Sequence, residues 1–351
     1  MLPSAGWDCR WGEELFTATV QLPGSCGELV QGSHKGVPFH ITCPINMYST
    51  VKVEMSPGTG QVRGPAGASK AREAAARTMQ YLGRLDMDAD LSINSPLLPG
   101  KGMASSTADV GGAILATGLA LGQQLTPQQV AQIALRIEPS DGTFFPGIVV
   151  FDHRSGQMHE ELGPPPPIDI IVLDFGGEVD TIAFNRQERS DILRSLEPQA
   201  KKALELVKEG IRLCRLEMIG EGATISALAN QNILYKPQLD SILTLARQVN
   251  ALGVNVAHSG TVIGVLLDSR KQDTKDVARF LSGQLLSLER SYIARLVSGG
   301  PRAVVEAQPR LDGMPVQSEK DRNHLCHLAK GITKDENVAG SPFALEGRKS
   351  G

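Results

Sequence analysis

The sequence predicts a two-domain α+β protein, and three observations predict it. Strand-sized apolar runs are mixed with segments of helical period along most of the chain. A run of four prolines, Pro164 to Pro167, suits neither a helix interior nor a central strand, and it separates two well-patterned halves. The length of 351 residues is enough for two cores of ordinary size. The expected division is a first domain over residues 1–163, a second over 168–299, and a flexible tail over 300–351, where Pro, Gly, Ser and charged residues dominate.

In the first half, alternation predicts strands over Thr17 to Leu22 and Met47 to Met55, a helix over Ser69 to about Leu82, and a strand over Leu91 to Asn94. Val110, Ala113, Ile114, Thr117, Ala120 and Leu121 then recur at helical spacing and stop at Gly122. A further helix starts with Thr126 as cap and Pro127 as first residue, places Val130, Ile133, Ala134 and Ile137 on one face, and ends before Pro139. A strand pair, Ile148 to Asp152 and Gln157 to Leu162, turns through His153 to Gly156. The second half reads as a buried strand (Ile168 to Leu173), helices over about Arg189 to Val207, Gly210 to Asn230 and Gln238 to Leu252, a strand-turn-strand around Gly260, and a helix over Asp273 to Ser282. A short helix is expected near Arg322 to Lys330.

Composition narrows the function. Lys plus Arg number 35 against 38 Asp plus Glu, a net charge of -3, and aromatics make up 4%, which leaves little for tracking phosphates or stacking bases of a nucleic acid. No uncharged span reaches the roughly 20 residues a transmembrane helix needs, and Met1 to Glu14 lack the basic start and apolar core of a signal peptide. Five cysteines at scattered spacings, with no C-x-x-C pair, fit a cytoplasmic chain with reduced thiols. His324, Cys326 and His327 cluster in the tail without a second cluster at ligand spacing, so a solvated tail is the simpler reading than a metal site.

The stretch Leu98-Pro-Gly-Lys-Gly-Met-Ala-Ser-Ser-Thr-Ala-Asp109 carries the most chemistry. Gly100 and Gly102 allow positive φ and a close backbone approach, and Ser105, Ser106 and Thr107 follow where a helix leaves its first amides unpaired. Those amides and the helix dipole favour an anion such as phosphate; a plain capped helix is the alternative. A Walker loop would need glycine where Ser95 stands, and a dinucleotide fingerprint would need a third glycine. Asp174-Phe175-Gly176 does not signal a protein kinase, because Ser155 stands where the catalytic-loop Asp would follow His153-Arg154.

Pro99 to Ala108 resembles the phosphate loop of the GHMP small-molecule kinases, with Met103 for the usual Leu and Ala104 for a usual Gly. Pro23-Gly-Ser-Cys-Gly-Glu-Leu-Val-Gln-Gly32 resembles that family's first motif and Ala257 to Asp268 its third, in the right order. The wording of Pro23 to Gly32, Ile41-Thr-Cys-Pro-Ile45, Gly100 to Asp109 and Asp174 to Thr181 is most similar to the branch that phosphorylates L-threonine for the cobalamin side chain. The resemblance implies a GHMP kinase architecture, with a βαβ-type nucleotide-binding first domain and a ferredoxin-like second domain. It also implies ATP and L-threonine as ligands and Mg²⁺ as cofactor.

The expected roles follow from that resemblance. Pro99, Gly100, Lys101, Gly102, Met103, Ala104, Ser105, Ser106 and Thr107 would line the phosphates, mainly through amides, and Ser106 would reach the cation. Glu138 and Asp141 flank the helix break at Pro139; Glu138 is assigned to the cation and Asp141 to the base, with an exchange of roles open, as is an ordinary Asp-Gly turn at Gly142. Ser25, Glu28, Glu178, Asp180, Ser259 and Gly260 are candidates for the acceptor. Cys26 is expected to pack, since the phosphoryl group passes directly between ligands, and His258 to be packed or exposed instead of catalytic. A kinase of another amino alcohol such as homoserine, and a silent sensor on the same fold, are the competing readings.

Overall fold

The computed structural model describes residues 16–179, 184 and 187–303. Met1 to Glu14, the expected helix near Arg322 to Lys330 and the cluster of His324, Cys326 and His327 lie outside the described residues. Two long strands, β1 (Phe16–His34) and β2 (Val37–Pro57), form an antiparallel hairpin. It turns at Lys35 and Gly36, both at positive φ (52° and 79°), as a two-residue hairpin turn of the right twist demands. The short predicted strand over Thr17 to Leu22 thus runs on through the whole first motif. Register shifts between Pro23 and Ser25, Ser25 and Glu28, and Glu28 and Val30 mark successive bulges, which bend the strand where the motif sits.

The remaining strands among the described residues are β3 (Val62–Arg63), β4 (Met87–Asn94), β5 (Ile148–Phe151), β6 (His159–Gly163), β7 (Ile168–Asp174), β8 (Gly253–Val256), β9 (Ile263–Asp268), β10 (Arg290–Arg295) and β11 (Arg302–Ala303). They join one sheet of order β10-β7-β9-β8-β1-β2-β4-β3, with β5 and β6 continuing from β2 and β11 pairing with β1. Strands from before and after the proline run meet where Glu28 of β1 pairs with Val256 of β8. The α+β class is therefore observed, and division into a domain over 1–163 and another over 168–299 stands as our proposal for a chain whose halves share a sheet.

Helix α1 (Ser69–Tyr81) follows the expected span. Helix α2 (Ser105–Ala120) is buried on nearly every side, which explains why its pattern shows a helical repeat but little polar face. Helix α3 (Pro127–Ala134) starts with a capping box between Thr126 and Gln129 and stops one turn before the predicted end. The helix predicted from Arg189 divides into α4 (Ser190–Ser195) and α5 (Glu197–Arg212), with Pro198 in the first turn of the second. Gly210 belongs to α5, and α6 (Leu216–Asn230) begins later than expected. Helices α7 (Leu239–Gln248) and α8 (Thr274–Gln284, capped by Asp273) follow among the described residues.

A buried ion pair ties the glycine loop before α2 to β7. Lys101 Nζ donates to Asp174 Oδ1 at 2.8 Å, with side chains 10% and 1% exposed. Removing one member of such a pair leaves a buried charge uncompensated, whereas replacing both with apolar groups does not. Asp174→Asn should therefore lower unfolding stability by about 3 kcal/mol in urea, and Lys101→Met with Asp174→Leu should cost far less than the two single changes combined. Additive losses in the double variant would contradict the pairing.

Candidate active site

The loop before α2 is shaped by its carbonyl groups. Gly100 O accepts from Val179 N at 3.0 Å, Lys101 O from Thr261 N and Val262 N at 3.0 Å each, Gly102 O from Gly27 N at 3.0 Å, and Met103 O from Ser25 N at 2.9 Å. Four consecutive carbonyls thus turn toward Val179 after β7, the turn between β8 and β9, and β1. Gly100, Gly102 and Ala104 hold positive φ (69°, 81° and 53°), which lets the chain reverse into the helix. A Cβ on Gly102 would lie 2.2 Å from that of Ala257, so only glycine fits there. At the start of α2 the N-cap residue, Ala104, gives the amides no side-chain cap, and Ala104 to Thr107 line the cavity at the positive end of the helix dipole.

Across a cavity of about 310 Å³ stand the two predicted carboxylates. Glu138 accepts from Ser106 Oγ on one oxygen and from Lys70 Nζ, at the start of α1, on the other. Asp141 is held from several sides: its N–H donates to Thr107 Oγ1 at 3.2 Å, Ser140 N donates to His153 O at 2.9 Å, and Gly142 N donates to Thr42 Oγ1 at 3.4 Å. The helix break at Pro139 therefore aims both groups at the mouth of α2. Asp109, one turn into α2, also lines the cavity; burial raises its pKa while a bond from Ser49 Oγ opposes that.

The predicted site residues separate into three groups. Pro99, Gly100, Gly102, Met103, Ala104, Ser105, Ser106, Thr107, Glu138, Asp141 and Ser259 all line this cavity. Ser25, Glu28 and Gly260 stand behind it as supports. Ser25 Oγ donates to Gly102 O at 3.4 Å, Glu28 accepts from His258 N at 2.6 Å, and a Cβ on Gly260 would lie 2.2 Å from Gly102 N. Two residues go elsewhere: the Lys101 side chain turns to Asp174 instead of the phosphate side, and Glu178 lines a separate surface hollow with Lys101 and Arg290. Glu178 lies beside Gly100 but is not among the residues that line the 310 Å³ cavity, so its expected contact with an acceptor there finds no support. Asp180 lies outside the described residues.

Sequence reasoning missed Lys70, Asp109 and a group of imidazoles. His40 and His153 are buried and His258 half-buried, and all three line the cavity beside Asp141. They come from three distant segments, so no local spacing announces them. Burial also raises the pKa of Glu28, with Asp141 adding to the effect, and it raises that of the Cys26 thiol, which makes Cys26 a packing group and no nucleophile.

An anion-holding helix start facing paired carboxylates across a cavity is a phosphotransferase arrangement. The family model of the GHMP kinases N terminal domain matches residues 69–145, which contain α1, α2, the loop between β4 and α2, Glu138 and Asp141. An L-threonine kinase of Salmonella typhimurium is 34% identical over 285 residues, covering 81% of this chain and 94% of that relative. An L-threonine kinase of Citrobacter freundii is 34% identical over 285 residues, covering 81% of this chain and 98% of the relative. A solved homoserine kinase of Cytophaga hutchinsonii has the same fold, with a TM-score of 0.63, 15% identity, and coverage of 85% of this chain and 100% of that one. The chain belongs to the GHMP kinase family, and it is a small-molecule kinase that acts on an alcohol group. Among the described residues no helix is long and apolar enough to cross a membrane.

Ala104 occupies a left-handed conformation (φ 53°, ψ 29°) that costs an L-residue about 1 kcal/mol. Ala104→Gly should raise unfolding stability by about that amount in a urea titration. A loss of stability would show that the Ala104 methyl group packs to more effect than its backbone is strained.

Proposed function

We propose that the protein transfers the γ-phosphoryl group of ATP to the hydroxyl of L-threonine, with Mg²⁺, to give O-phospho-L-threonine for the nucleotide loop of cobalamin. The observation that carries the reading is the cavity with uncapped amides of α2 on one wall and Glu138 and Asp141 on the other. The 34% identity to two L-threonine kinases supports the choice of acceptor. A cytoplasmic location goes with this reading and with the free thiols of Cys26, Cys43 and Cys214.

The residues divide the work. The amides following Ala104 bind and orient the phosphates, in a place where donors already point at the ligand and need no rearrangement. Ser106 Oγ and the Glu138 carboxylate are adjacent oxygen donors, the set a hard divalent cation prefers, so the residues present fit Mg²⁺. When bound, the ion would neutralise charge on the phosphates. Lys70 holds the second Glu138 oxygen and adds positive charge on the phosphate side. Asp141 takes the proton of the acceptor hydroxyl as its oxygen bonds to phosphorus; the bond to the ADP oxygen breaks, and ADP leaves.

Purified protein given Mg·ATP and L-threonine should release ADP, and chelation with EDTA should stop release until Mg²⁺ is restored. Asp141→Asn should lower turnover about 10² to 10⁴-fold while nucleotide affinity stays within about twofold. Absence of ADP release with every amino alcohol tried would refute the reading. A preference for homoserine over threonine would move the acceptor while keeping the chemistry, and near-normal turnover in the Asn variant would remove Asp141 as the base.

A further inference from the structure

Beyond Asp141 the cavity ends on a wall of three imidazoles whose nitrogens have no assigned use. One nitrogen from each of His40, His153 and His258 lies within 4.8 Å of the others. His40 comes from β2, His153 follows β5, and His258 follows β8. Among the described residues neither ring nitrogen of His153 has a hydrogen-bond partner, and neither does Nε2 of His40, although these atoms are buried. Buried polar nitrogens left open beside a cavity point to a ligand that completes them.

The partners of the other nitrogens fix where the protons are. Gln31 Nε2 donates to Val256 O, which leaves Gln31 Oε1 to accept from His258 Nδ1 at 2.7 Å. His258 therefore offers the lone pair of Nε2. His40 Nδ1 lies 3.4 Å from Asp141 Oδ1 and 3.9 Å from Glu28 Oε1, so the proton on that nitrogen faces the acidic groups. Burial first, then neighbouring positive groups, hold His153 and His258 well below the usual imidazole range. Neutral imidazoles at His153 and His258 each offer one lone pair to the cavity, with the carboxyl group of Glu28 behind them.

Two ligands want such a surface, a transition metal and an ammonium group. The rings of His40 and His153 stack at 3.8 Å between centroids and within 8° of parallel. Parallel rings send their in-plane lone pairs along parallel lines and do not converge on one ion, which disfavours a metal. An ammonium instead presents three separate N–H donors to acceptors spread over several ångströms.

We propose that His153 and His258 form the subsite for the ammonium group of the acceptor, each accepting one N–H through an imidazole nitrogen left open at the cavity. This rests on the reading of the protein as an amino-alcohol kinase with Asp141 as base. His153 and His258 then determine specificity: they place the hydroxyl one carbon away from the amine beside Asp141. His40 is a positioning residue, because it acts through the Asp141 carboxylate.

Three acceptors separate the possibilities: L-threonine, L-threoninol, which keeps the amine and lacks the carboxylate, and (R)-3-hydroxybutyrate, which keeps the carboxylate and lacks the amine. In His153→Ala, KM for threonine and threoninol should rise about 30-fold, with kcat changed less than about threefold and with hydroxybutyrate kinetics unchanged. Titration calorimetry should show the same loss of threonine affinity without ATP, and that arm decides the subsite even if no acceptor is phosphorylated. His258→Asn, which keeps an acceptor oxygen, should lose less than His258→Ala. Equal losses on all three acceptors would reduce the histidines to structural groups. Losses confined to threonine and hydroxybutyrate would assign them to the carboxylate. Stoichiometric Zn²⁺ binding to the wild-type protein, abolished in His153→Ala, would make the wall a metal site. Each of these three results overturns the proposal.

Discussion

Every feature of the site depends on one constraint, that four successive carbonyls of the loop over Gly100 to Met103 are bonded outward, away from the cavity. A trans peptide group whose oxygen is anchored on one side presents its own N–H to the other. The partners of those oxygens come from the bulged first motif in β1, from the turn between β8 and β9, and from Val179 after β7. Three segments remote in sequence thus share the task of holding one loop open. This also explains why close backbone approach matters at Gly102 and Gly260, where a methyl group would drive the loop and the turn apart.

The electrostatics follow from the same arrangement. The helix start supplies fixed partial positive charge, and Glu138 and Asp141 supply negative charge opposite it. Lys70 and Ser106 hold Glu138 between them, so the carboxylate is already oriented before any ligand arrives. Lys101, which a local reading of the loop assigns to the phosphates, instead neutralises Asp174 beneath the loop and fastens it to the sheet. Its charge serves the scaffold, and the ligand side is left to amides and to Lys70.

How much of this was legible in the sequence depended on whether the signal was local. The loop and α2 were legible because glycines and an apolar repeat adjoin one another, and α3 because Thr126, Pro127 and Gln129 form its start within four residues. The break at Pro139 drew attention to Glu138 and Asp141, and both line the cavity. The full length of β1 and β2 was hidden, because burial on both faces and repeated bulges erase the two-residue alternation. β10 escaped notice since an exposed strand flanked by arginines, with Ala294 as its one buried residue, has little apolar pattern. His40, His153 and His258 meet through tertiary packing, as do Lys101 and Asp174, and no spacing rule reaches across such separations.

The central claim is that nucleotide phosphates are gripped by the backbone at the mouth of α2. Hydrogen–deuterium exchange of the protein with and without Mg·ATP, followed on peptides covering residues 98–110, tests it most directly. The account predicts that exchange slows most over Gly102 to Thr107, with smaller protection at Lys70 and at Glu138 to Asp141. Protection concentrated elsewhere, with the start of α2 exchanging as in the free protein, would contradict it.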